Sequence, residues 1–192
     1  MTEGRKVNAF ARSRGDRLTV PKSLAGAFIA ELPLVLWILF LLLAVPLLNL
    51  STVGLRYGFF MNAAREAVHV ASRAKSFQTD ISPDQKSAVH LAQQEAAFAT
   101  SMFSEITLDT VTTNIVVTDL TTRVTTRRNT PLPQPANTSV NLYQIETVLT
   151  GRVNPLITFN SGVLGAIPGL TVPVQVTAAA RAFCENPDGL TR

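Results

Sequence analysis

Two histidines are the first places to look for chemistry. Glu66 and His69 stand three residues apart, the half of a carboxylate-bridged di-iron motif that a single helix can supply. A full site needs a second Glu-x-x-His and further carboxylates, and the sequence has no second such pair. Glu66 and His69 therefore read as a solvated helix face, and no metal site is expected. His90 has no companion at ligand spacing. No G-x-S-x-G, Walker A loop, H-E-x-x-H or C-x-x-C occurs. Serines and threonines abound in the second half of the chain, but no histidine lies there to activate them. Asp109 and Asp119 sit in threonine-rich segments and read as surface residues. Cys184 is the only cysteine, so no intramolecular disulfide can form. The residues thus imply no catalytic site, no cofactor and no small-molecule substrate. A triad built through His69 or His90 stays open, in the form of a membrane-anchored envelope protein with an extracytoplasmic binding or enzymatic domain.

Glu31 is the more informative acidic residue, because of what surrounds it. From Leu32 to Leu48 the chain has no charged or polar side chain, and residues 27–50 are interrupted only by Glu31 and Asn49. A helix over 27–50 rises about 36 Å at roughly 1.5 Å per residue, enough to cross a hydrocarbon core of about 30 Å. A buried core helix of a small protein would carry a polar face instead. A carboxylate inside such a span costs about 2.5–3.5 kcal/mol at its centre and usually has a partner or a function. Glu31 lies near one end, where that cost is smaller.

The charge distribution orients the span. Residues 1–26 carry Arg5, Lys6, Arg12, Arg14, Arg17 and Lys22 against Glu3 and Asp16, which accounts for the whole net charge of +4. The remainder is balanced, so no basic folded surface is left for a nucleic acid. A positive leader stays in the cytoplasm, which places the C-terminal domain outside the cytoplasmic membrane. The apolar run exceeds the 7–15 residues of a secretory signal core, and no small-x-small site follows it. An uncleaved signal anchor is the open alternative.

Gly26 stands five residues before Glu31, between a basic leader and an apolar run. This arrangement resembles the processing site of type IV prepilins. Past the span, the run Asn62-Ala63-Ala64-Arg65-Glu66-Ala67 adds to it. Together they resemble the TadE-like minor pilins of tight-adherence (Flp-type) pilus systems over about residues 24–74. The resemblance implies cleavage by a prepilin peptidase between Gly26 and Ala27, and a structural role in pilus assembly or adhesion beside other pilin or pseudopilin subunits. It also implies that the Glu31 carboxylate, fifth in the mature chain, pairs with the N-terminal amine of a neighbouring subunit. Leu32 stands where major Flp pilins have tyrosine, and Ala27 stands where other type IV pilins have phenylalanine. Both departures fit a minor subunit better than a major one.

The expected domains are a leader over 1–26, a transmembrane helix over 27–50 and an extracytoplasmic α+β domain over 51–192, with residues 51–74 continuing the helix. Ser82, Pro83 and Gln85 predict the start of a second helix that runs to about Phe103, with Ser82 as N-cap and an apolar face of Val89, Ala92, Ala96, Ala97 and Phe98. Residues 111–119 and 122–126 suit a hairpin, and residues 140–153 a long strand. Pro131, Pro133 and Pro135 mark an exposed loop. Val172 to Cys184 alternates with the period of a strand that has one buried face, with Cys184 on the apolar side. The tail from Asn186 is expected to fray. The fold class is a membrane-anchored α+β, pilin-like chain: one helix packed on an antiparallel sheet of about four strands.

Overall fold

The computed structural model describes residues 23–158 and 166–192; of the helix over residues 23–30 only the backbone is described. The expected leader lies outside the described residues apart from its last few, which are already helical. By contact the chain divides into two compact units, Met1–Leu42 and Leu43–Arg192. Helix α1 spans Ser23–Ser72. The first unit contributes its apolar stretch to this helix, exposed throughout the described side chains.

The second unit is an α+β head. Helix α2 (Ala88–Ser101) is followed by strands β1 (Ile106–Asp119), β2 (Thr125–Arg128), β3 (Asn141–Val153) and β4 (Val174–Phe183). The strands form one antiparallel sheet in the order β2-β1-β3-β4. One face of the sheet carries the core. Val111, Thr113, Ile115 and Val117 of β1 lie opposite Leu149, Thr147, Ile145 and Tyr143 of β3, and these in turn oppose Ala178, Ala180 and Ala182 of β4 where it overlaps. A register shift between Leu108 and Thr110 inserts one residue. It turns Asp109 to the surface, where it meets Arg152 at 2.8 Å, and lets Ile106 and Leu108 share a face with Val111 despite the break in parity.

The C-terminal half of α1 covers this face with a stripe of Phe60, Ala63, Ala64, Ala67, Val68 and Ala71, at the three- and four-residue spacing of one helix side. The run over 62–67 is thereby explained by packing: its alanines are buried, while Asn62, Arg65 and Glu66 are exposed. Helix α2 presents Ala88, Ala92, Ala96 and Thr100. Ala96 joins Ala63, Ala64 and Ala67 in one cluster with Phe60, Ile106 and Leu149.

Several expectations are corrected. Helix α2 starts at Ala88 with Ser87 as its N-cap, not at Ser82. Ser82 to Gln85 instead closes a tight turn, with the Gln85 N–H donating to the Ser82 carbonyl, a place where Pro83 supplies the fixed φ of a turn. Ala97 and Phe98 of α2 face solvent, because only the four-residue repeat from Ala88 points inward. Strand β1 begins five residues earlier than expected, and β4 starts after Pro173, which cannot donate to a ladder. The C-terminal tail is not frayed. Pro187–Thr191 forms a 3-10 turn that buries Leu190, and the Arg192 carbonyl accepts from the N–H groups of Phe77 and Gln78 at 2.8 Å.

Candidate functional site

The feature of α1 that ordinary folding does not explain is its exposed apolar surface. Every described side chain from Glu31 to Leu43 is exposed, including Trp37 and Leu42, at 64% and 72%. A stretch of such composition is stable in water only when something covers it. From Glu31 onward α1 is long and apolar enough to cross a membrane. Glu31 sits at its head as the only ionisable group before Arg56. Gly26 and Ala27 lie within α1 as backbone, and their surroundings are outside the described residues.

The other sequence candidates separate. His69 and Glu66 are exposed on α1. The Arg73 guanidinium is 3.3 Å from the His69 Nε2 atom, and a fixed cation there opposes a metal. Among the described residues no cluster of three or more His, Cys, Asp or Glu side chains could hold a metal ion. Cys184 is half-buried against the core, and burial pushes its thiol pKa upward. Both observations fit a packing role, since a reactive cysteine needs a lowered pKa.

Sequence reading missed two polar constellations, the first of them around Asp80. The Asp80 carboxylate accepts from the Ser87 N–H at 2.7 Å, lies 3.3 Å from Lys86 Nζ and 3.1 Å from His90 Nδ1. The Ser87 N–H is the largest cause that lowers the Asp80 pKa from 3.8 to about 2, with Lys86 adding to it and burial opposing it. The nine residues between Asp80 and His90, a tight turn and the start of α2, hide this pairing from spacing arguments. A carboxylate on Nδ1 is how a catalytic histidine is oriented. Here the serine hydroxyl of the cluster accepts from the His90 N–H at 3.3 Å as a helix cap, so the group serves to start α2.

The face of the sheet away from the helices carries a second missed cluster. Glu146 is buried on β3 and meets Arg181 of β4 at 2.8 Å and Arg127 of β2 at 3.4 Å. Asn114 adds a donor at 3.5 Å. The two arginines, both partly in solvent, cover the carboxylate and tie the outer strands to the centre. Near β2 a cavity of about 650 Å³ opens between Arg127, Arg128, Tyr143 and the loop through Pro133, Pro135 and Asn137. Among the described residues that line it there is no carboxylate, histidine or cysteine.

No family model, curated protein or solved structure matches the chain.

Proposed function

We propose that this chain is a minor pilin or pseudopilin of a Tad-type pilus assembly system, anchored in the cytoplasmic membrane by α1 with its head outside. The observation that carries the reading is an exposed apolar stretch of α1 headed by one carboxylate, five residues after Gly26 and preceded by a leader holding the entire net charge. The resemblance over 24–74 supplies the family. The role is structural: α1 packs with the helices of partner subunits, and the head is displayed. A small alanine-rich core with polar clusters devoted to capping and strand tying suits display more than turnover.

A membrane-anchored binding domain is the second reading, favoured by the cavity beside Tyr143 and Arg127. The two readings part at the leader. In the native host, N-terminal sequencing is expected to find Ala27 as the first residue, and Gly26→Val to abolish that cleavage. Glycine lets a peptidase approach the backbone that a branched side chain would block. A chain that keeps its leader in the presence of a prepilin peptidase would sink the pilin reading and leave the anchored domain.

A further inference from the structure

The described flanks of the connection between β3 and β4 meet α1 at Asn154, Ile157 and Gly169, and the chemistry of the connecting sequence matches that of the helix. Between Arg152 and Arg181 the sequence has no charged residue. On α1 the uncharged stretch extends from Leu32 to Leu55, and Arg56 is its first charge. The two segments are fastened together at successive levels. The Arg56 guanidinium donates to the Asn154 carbonyl. Three residues on, the Ile157 N–H donates to Asn49 Oδ1 at 2.9 Å, and Asn49 Nδ2 donates to the Ile157 carbonyl at 2.8 Å. Arg56 to Asn49 is seven residues back along the helix, or about 10 Å. Three residues of extended chain cover about the same distance. The loop thus leaves β3 at the first charge of α1 and descends toward the apolar run. Nearer β4, Gly169 lies close to Val53.

Two details fit an apolar environment rather than water. Leu156, Ile157 and Ile167 all turn outward, at 55%, 38% and 41% exposure. The backbone of Ile157, which water would otherwise solvate, has both its polar groups taken up by a single buried side-chain amide. Backbone at membrane depth must be satisfied internally in this way. Asn49 is itself fully buried although it interrupts an apolar run, so its polarity is spent on the loop.

From this geometry we propose that the two described flanks of the β3–β4 connection, residues 154–158 and 166–173, are lipid-contacting, with Leu156, Ile157 and Ile167 entering the interfacial layer of the bilayer beside α1 and seating the head on the membrane. The inference rests on reading α1 as a span. Its occupant is the lipid surface, because the exposed side chains continue the apolar run at the level where that run ends.

The test uses the full chain reconstituted in phosphatidylcholine–phosphatidylglycerol vesicles whose acyl chains are brominated either near the headgroup or near the bilayer centre. The chain has one tryptophan, Trp37, whose emission reports the span. In a Trp37→Phe background, Leu156→Trp and, separately, Ile167→Trp place the fluorophore on the loop, and Leu120→Trp places it on the exposed β1–β2 turn as a reference. The loop variants are expected to be quenched well above the reference, and more by shallow than by deep bromines. Native Trp37 should be quenched more by deep ones. Quenched Trp37 with both loop variants at the reference level overturns the proposal while leaving the span intact. If Trp37 itself escapes quenching, the span reading fails and the proposal with it. Loop emission that is insensitive to bromine but blue-shifts with protein density assigns the surface to a second copy of the chain, which also overturns the proposal.

Discussion

Thr113 and Thr147 face each other across β1 and β3 on the buried side of the sheet, and neither hydroxyl has a hydrogen-bond partner among the described residues. They lie between two apolar clusters, one around Ile115 and Ile145 and one around Phe60 and Leu149. A buried hydroxyl without a partner costs about 1–3 kcal/mol in lost hydration. Thr147→Val keeps the branched shape and removes that cost. It is expected to raise the unfolding free energy of the full chain in detergent micelles by about 1 kcal/mol, read by denaturant titration. A lowered midpoint would show that the hydroxyl has a partner in solution.

Gly151 sits where β3 passes under α1. A Cβ there would press on the Thr107 carbonyl of β1 and come within 3.0 Å of the Phe60 ring. The first is strand backbone and the second a fully buried ring, so neither gives way cheaply. Gly151→Ala should cost about 1–3 kcal/mol, the usual range for overpacking. Gly58→Ala on α1 is the contrast. Nothing lies within 4 Å of a Cβ at that position, and the substitution should gain about 0.5–1 kcal/mol of helix stability. Equal effects at the two sites would contradict the packing.

Asp80 gives the head an acid-sensitive corner. Its pKa falls from 3.8 to about 2 because the folded state supplies the Ser87 N–H and Lys86. A carboxylate with a depressed folded pKa stabilises fully above its unfolded value and loses that contribution as pH falls through the folded one. The thermal midpoint should therefore drop between about pH 4 and pH 2, and Asp80→Asn should flatten the drop in that window. An unchanged profile would remove Asp80 as the capping anion of the α2 start.

Glu31→Gln keeps the shape of the side chain and removes its charge. If the carboxylate serves assembly, the variant should insert and be cut after Gly26 but fail to co-purify with, or crosslink to, its partner pilins. Normal association of the cleaved variant would leave Glu31 without an assembly role.

The strongly periodic parts of the fold were legible in the sequence. The alternation before Cys184 and the valine-rich strands follow from burial on one face of the sheet, and the apolar run is legible from length and composition alone. What escaped was set by contacts distant in sequence. Ser87 displaces Ser82 as the cap of α2 because Asp80 reaches across a turn to hold its N–H. Leu190 orders a tail of polar composition because Gly189, lacking a side chain, can pack against the Lys75 backbone. Asn49 looked like a blemish in the apolar run, and its partner Ile157 lies 108 residues away. At the candidate site, the spacing of Gly26 and Glu31 was legible, but the surroundings of Gly26 and Ala27 fall outside the described residues.

The two rims of the sheet are unequal. Strand β2 is four residues long and ends in the adjacent Arg127 and Arg128, whereas β4 offers ten residues that carry no charge before Arg181. Short, charged strands resist annealing to another extended chain, and long uncharged ones template it. The two outer strands therefore differ in length and charge, and an extended chain would anneal more readily to β4 than to β2.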